Sequence, residues 1–267
     1  MKSKKEGEFV NVLNVIWKII FFIIKIPYFL FLLVYLPTKY IATKGNKNPK
    51  RAMAKFEDFE VIRKEKGDYT KWIDSTYKAD SKIGIILGAR GSGKTAFGVK
   101  YLENAYAKYH KKCYAIGFNA DEMPRFIRVV SDTTEIENDS LVLIDEGGVL
   151  FSSRSSMSNA NKILSNLILI SRHKNISILF ISQNSSNLDV NIIRQADYLI
   201  LRHSSLLQKD FERKIVQNIY EKINPAFEKF KDKSKISYVY SDEFLGFISN
   251  NLPSFWGSNI SKSFRQK

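Results

Sequence analysis

Ile83-Gly84-Ile85-Ile86-Leu87-Gly88-Ala89-Arg90-Gly91-Ser92-Gly93-Lys94-Thr95 is the stretch that decides the fold. An apolar run leads directly into the pattern G-x-x-x-x-G-K-[ST], a strand followed by a phosphate-binding loop. The residue types follow from physics. Glycines let the backbone wrap closely around phosphate oxygens, so that amide N–H groups converge on negative charge at the start of the next helix. The cradle comprises Gly88, Ala89, Arg90, Gly91, Ser92, Gly93, Lys94, Thr95 and Ala96. Within it Lys94 would reach the β- and γ-phosphates and the Thr95 hydroxyl would hold Mg²⁺. A helix-forming run over 96–109 follows. The reading is a site for ATP with Mg²⁺.

Two further apolar runs end in chemistry. Ser140-Leu141-Val142-Leu143-Ile144 leads into Asp145-Glu146. Open α/β sheets place their ligand crevice at the carboxyl ends of strands, where this acid pair falls. Asp145 would hold Mg²⁺, directly or through water, and Glu146 would polarise the attacking water as general base. Ile176-Ser177-Ile178-Leu179-Phe180-Ile181 leads into Ser182-Gln183. A parallel neighbour would bring the Gln183 amide to the same edge, to contact the γ-phosphate or the attacking water.

Around these motifs, strand-like runs alternate with helix-like ones, as in an α/β domain with a mostly parallel sheet flanked by helices. Strands are expected at 82–87, 113–118, 141–145, 176–182 and 198–202, with one at the sheet edge over 236–240. Helices are expected at 94–109, 159–173 and 188–195, and a longer one over 206–230 is interrupted by Pro225. Residues 46–80 read as a linker with short helices packing on the nucleotide domain, which spans 81–240. Residues 241–267 read as an irregular tail.

Residues 1–45 differ from the rest. From 9 to 37 the chain is overwhelmingly apolar, long enough to cross a bilayer as a helix. Lys18, Lys25 and Pro27 interrupt it, and Asn11, Asn14, Lys18 and Lys25 share one narrow helical face. A spanning helix and one lying in the membrane surface both fit. Lys39, Lys44, Lys47, Lys50 and Arg51 follow the run, so the positive-inside bias places the remaining chain in the cytoplasm. No small-residue cleavage site follows, which disfavours a secretory leader.

The 267-residue chain carries a formal net charge of +15, which points to a polyanionic partner, either nucleic acid or an anionic membrane face. Its single cysteine, Cys113, excludes an internal disulfide framework. There is no H-R-D kinase motif and no L-S-G-G-Q-like transporter signature.

The order of these features narrows the family. The phosphate loop and the Asp145-Glu146 strand are followed by Phe151-Ser152-Ser153-Arg154 and by a helix ending Ser171-Arg172-His173-Lys174-Asn175. Next come Ser182-Gln183 and Asp189-Val190-Asn191-Ile192-Ile193-Arg194-Gln195-Ala196-Asp197. Across roughly 80–205 this resembles the FtsK/HerA superfamily of P-loop ATPases. Within it, zonular-occludens-toxin-like proteins, including the filamentous-phage assembly ATPase, and viral DNA-packaging ATPases are the most similar. The resemblance implies a RecA/FtsK-like P-loop fold and a homo-oligomeric ring, usually a hexamer, completed by a neighbour's arginine. Arg172 is the first candidate, then Arg154, with Arg194 and Arg202 behind. It further implies either double-stranded DNA as the substrate moved, or capsid or secretion-complex proteins as partners in assembly and extrusion.

Overall fold

A computed structural model describes residues 17, 21, 25, 49–78, 81–152 and 157–257. The chain divides into two compact units, Met1–Lys47 and Asn48–Lys267. In the first, Trp17, Phe21 and Lys25 are helical, and the Lys25 ammonium lies 4.3 Å from the Phe21 ring centroid. The rest of the apolar 9–37 segment lies outside the described residues. No helix among the described residues is long and apolar enough to cross a membrane.

Among its described residues the second unit has nine strands: β1 Val61–Gly67, β2 Ile83–Leu87, β3 Lys112–Ile116, β4 Ile127–Val129, β5 Ser140–Asp145, β6 Ser177–Ile181, β7 Tyr198–Leu201, β8 Ile236–Ser241 and β9 Phe244–Ser249. They form one sheet in the order β1-β9-β8-β7-β2-β6-β5-β3-β4. The stretch from β7 to β4 is parallel, and β8, β9 and β1 add on antiparallel. β2, β5, β6 and β7 are buried along their whole length, which explains their continuous apolar sequences: helices cover both faces.

Among the described residues seven helices surround the sheet: α1 Tyr69–Lys78, α2 Lys94–Tyr109, α3 Glu146–Ser152, α4 Met157–Lys174, α5 Val190–Gln195, α6 Leu206–Phe211 and α7 Lys214–Phe227. Alternate residues of β5 feed opposite cores. Val142 and Ile144 pack with Leu164 and Leu167 of α4 and Tyr220 of α7, whereas Leu141 and Leu143 pack with Trp72 of α1 and Phe97 and Leu102 of α2. Gly98 allows α2 its close approach, because a Cβ there would lie 2.7 Å from Leu143 Cδ1.

Several expectations are corrected. The linker contains β1, exposed along its full length, which owes its strand state to pairing with β9 rather than to an apolar pattern. The tail is not irregular at its start: Phe244–Ser249 is β9, and this places β8 inside the sheet instead of at its edge. The helix expected over 206–230 breaks at Glu212-Arg213, not at Pro225, which α7 accommodates. Glu212 and Arg213 turn aside to hold a neighbouring loop. Ser185 N donates to Glu212 Oε2 at 2.7 Å, and Arg213 Nε donates to Ser185 O at 3.0 Å.

The two flanking segments meet on α2. Glu103, fully buried, accepts from Lys55 N at 3.0 Å and from Ser254 N at 3.0 Å, and pairs with buried Lys100 at 3.1 Å. Asn104 donates to Glu57 O at 2.8 Å and accepts from Glu57 N at 3.1 Å. Phe255 is inserted into the adjoining core. The phosphate-loop helix is thus clamped by the chain segments before the phosphate loop and after the last strand.

Candidate active site

The register brings the motifs together. Ile86 of β2 pairs with Ile181 of β6, and Ile181 pairs with Asp145 of β5, so three adjacent strands end at one level. Beyond those ends lie Gly88, Ser182 and Glu146. Gly93 caps α2 with φ of 92°, in the left-handed region that suits glycine.

Lys94 is 7% exposed, and its ammonium donates to Gly88 O at 2.6 Å and Ala89 O at 2.9 Å. Burial pushes its pKa down to about 8; Asp145 opposes that shift and Arg202 reinforces it. Thr95 Oγ1 donates to Asp145 Oδ2 at 3.1 Å, joining the two expected metal-holding groups. Asp145 Oδ1 accepts from Gly147 N at 3.1 Å and so also fixes the turn into α3. Burial raises the Asp145 pKa.

Glu146 is 4% exposed, and burial raises its pKa as well, which favours a carboxylate acting as a base. Ser182 Oγ donates to Glu146 Oε2 at 2.6 Å, while Asn184 N donates to Ser182 Oγ at 3.3 Å. The chain leaving β6 therefore orients the base through Ser182, whose only signal in the sequence is that it is the first polar residue after the strand. Gln183 lies beside it at the same edge, exposed, with its backbone carbonyl accepting from Gln208 Nε2 at 2.7 Å.

The arginine candidates separate. Arg172 is exposed in the last turn of α4, next to the start of β6, where Asp139 N donates to Lys174 O at 3.0 Å. That is the opposite edge of the sheet from the phosphate loop, so Arg172 does not join the pocket of its own chain. Arg194 is exposed in the last turn of α5, ahead of β7, and Arg154 lies outside the described residues. Arg202 is fully buried beneath the phosphate loop, which removes it as a residue reaching another subunit.

The residues fit a triphosphate. A buried ammonium has only carbonyl partners, Ser92 Oγ is buried without a hydrogen-bond partner, and space stays open beside Gly91. The hard-oxygen pair of Thr95 and Asp145 suits Mg²⁺. Among the described residues no group of three or more His, Cys, Asp or Glu forms a metal site. A cation here would complete its shell with phosphate oxygens and water.

Residues 119–237 match the family described as zonular occludens toxin (Zot). No curated protein matches the chain. Among solved structures, the genome packaging NTPase B204 of Sulfolobus turreted icosahedral virus 2 is 15% identical, covering 65% of this chain and 99% of its own, with a TM-score of 0.45. EssC (ATPases 2 and 3) of Geobacillus thermodenitrificans is 10% identical, covering 82% of this chain and 50% of its own, with a TM-score of 0.41. With its phosphate loop, acid pair and Ser182-Gln183 on three neighbouring strand ends, the chain has a P-loop fold and, over residues 119–237, is similar to the zonular occludens toxin (Zot) family.

Proposed function

We propose that this protein is a membrane-associated motor that hydrolyses ATP to translocate or package DNA, its site completed within a ring of identical subunits. The observation that carries the hydrolytic part is the hydrogen bond from Ser182, just past β6, to Glu146, just past β5, with β6 lying directly beside the phosphate-loop strand β2. Glu146 would take the proton of the attacking water while Lys94 and the N–H groups at the start of α2 hold the phosphates. Mg²⁺, held by Thr95 and Asp145, would neutralise charge on the β- and γ-phosphates. Arg172, exposed on the opposite edge, is the arginine we assign to a neighbour's site. The apolar 9–37 segment would anchor the motor, with the ATPase unit in the cytoplasm.

The net charge of +15 supports a polyanion as the substrate moved. So does the loop between α7 and β8, where Lys229, Lys231 and Lys235 are exposed. That loop abuts the nucleotide cradle through Ser234, whose carbonyl accepts from Arg202. Lysines at such a surface hold phosphates without reading sequence. Double-stranded DNA is expected to bind the full chain with an affinity that falls steeply with salt, and to stimulate ATP turnover. The match over residues 119–237 favours a second reading, a morphogenesis ATPase driving virion assembly and extrusion with capsid or secretion-complex proteins as partners. Absence of both DNA stimulation and salt-dependent binding selects that second reading.

Nucleotide affinity also reports on Lys94. Its pKa of about 8 in the free protein means that, as pH rises through that value, the neutral amine prevails and must take up a proton to meet the phosphates. ATP affinity is expected to fall by up to about tenfold per pH unit above that point, approaching this limit as bound phosphate restores the charge. Isothermal titration in buffers of different ionisation enthalpy would show proton uptake on binding. A flat profile from pH 7 to about 9.5 contradicts the assignment.

A further inference from the structure

Arg202 stands at the end of β7, and its environment is unusual for an arginine. It is fully buried, and among the described residues no carboxylate lies within ion-pair distance of it, Asp232 acting on it only from further off. Its partners are neutral. Nε and Nη2 donate to Ser92 O at 2.9 and 2.5 Å, Nη1 donates to Ser237 Oγ at 2.5 Å, and Nη2 also reaches Ser234 O. Turned so that its oxygen faces the guanidinium, the Asn250 amide can accept from Nη1 at 3.1 Å and Nη2 at 2.9 Å. A planar fork of five donors suits such a convergence of acceptors, and a lysine could not satisfy them all.

The contact with Ser92 has a directional consequence. Ser92 C=O and Gly93 N–H belong to one planar trans peptide, so they point in opposite directions. Drawing the carbonyl toward Arg202 aims the Gly93 N–H away from it, toward the cradle. That N–H precedes the first turn of α2 and has no carbonyl partner within the helix. The guanidinium also supplies positive charge immediately behind the phosphates, where a buried cation lacking a carboxylate gains most from an anion. Its other partners lie at the two ends of the β8–β9 hairpin: Ser234 and Ser237 at the entry, Asn250 at the exit.

We infer that Arg202 is a positioning residue for nucleotide binding, holding the Gly93 amide toward the phosphate and linking the occupied cradle to the β8–β9 hairpin. This rests on the reading of the loop as a triphosphate site. It gives the antiparallel strands, which carry none of the ATPase motifs, a part in sensing the nucleotide.

The test titrates the full chain with a non-hydrolysable ATP analogue and compares it with Arg202→Gln and Arg202→Lys, each checked for native circular dichroism and melting. Arg202→Gln is expected to weaken binding about 10- to 100-fold, the range for losing hydrogen bonds from a charged donor, and to raise KM more than it lowers kcat. Arg202→Lys should recover part of that loss, since one ammonium can still reach Ser92 O. In the unmodified chain the analogue should slow hydrogen exchange at residues 234–250, and Arg202→Gln should abolish that slowing. Should Arg202→Gln fail to fold, Ser237→Ala and Asn250→Ala take its place, each removing one partner of the guanidinium. They are expected to weaken binding several-fold and to reduce the exchange effect. Failure of the unmodified chain to bind the analogue overturns the site itself. Binding by the unmodified chain with wild-type affinity in the folded variants, or with no exchange change in the hairpin, overturns only the role of Arg202.

Discussion

Glu146→Gln is expected to bind ATP about as tightly as the unmodified protein and to hydrolyse it about 10²- to 10⁴-fold more slowly, the usual loss when a general base is removed. The geometry isolates that effect. The substitution keeps the shape of the side chain, and the new amide oxygen can still accept from Ser182 Oγ, now 2.6 Å from the Glu146 carboxylate. What an amide cannot do is take the proton. Burial holds the Glu146 pKa above the ordinary carboxylate range, so the unmodified enzyme should lose activity as pH falls through that raised value. The residual activity of Glu146→Gln should lack this acid limb. Single-turnover measurements with radiolabelled ATP separate chemistry from product release, and wild-type turnover in the variant would remove Glu146 from the role assigned to it.

Glu103→Ala carries the second large effect, on stability rather than chemistry. Glu103 and Lys100 are both fully buried 3.1 Å apart, and Glu103 also receives the backbone amides of Lys55 and Ser254. Removing it leaves a buried ammonium whose nearest remaining carboxylate, Glu57 at 3.4 Å, is exposed. Breaking such a pair costs about 3–5 kcal/mol. Urea unfolding followed by circular dichroism should show a loss of that size, and limited proteolysis should cut first near residues 52–57 and 251–257. Lys100→Met combined with Glu103→Leu should lose less, since no unpaired charge remains. Equal losses in the two proteins would show that the clamp is packing and not charge.

How much of this was legible beforehand depended on where each residue finds its partners. The phosphate loop, the β5 acids and the β6 terminus announce themselves because each is a continuous apolar run ending in polar residues, and both faces of those strands are covered. β1 is silent in sequence. Val61-Ile62-Arg63-Lys64-Glu65-Lys66 has no buried face, and it is a strand only because β9, far along the chain, pairs with it. β9 is mostly buried, and β8 is interior only because β9, and beyond it β1, pair outside it. Within the site, Thr95 meets Asp145 and Ser182 meets Glu146, a contact that the more conspicuous Gln183 masks in the sequence. The sequence alone makes Arg202 one of several candidates to complete a neighbour's site. Its true partners, Ser92, Ser234, Ser237 and Asn250, lie in segments that no local pattern connects. Arg172 was expected to serve a neighbour's phosphates, and the topology sets it on the far edge from those of its own chain.

The most direct test is a crystal structure of the full chain with a non-hydrolysable ATP analogue and Mg²⁺. The triphosphate should lie across the start of α2, with its terminal phosphate between Lys94 and Glu146 and the cation against Thr95 and Asp145. Phosphates bound elsewhere on the sheet, or a terminal phosphate directed away from Glu146, would contradict the proposal that three neighbouring strand ends form one ATP-hydrolysing pocket.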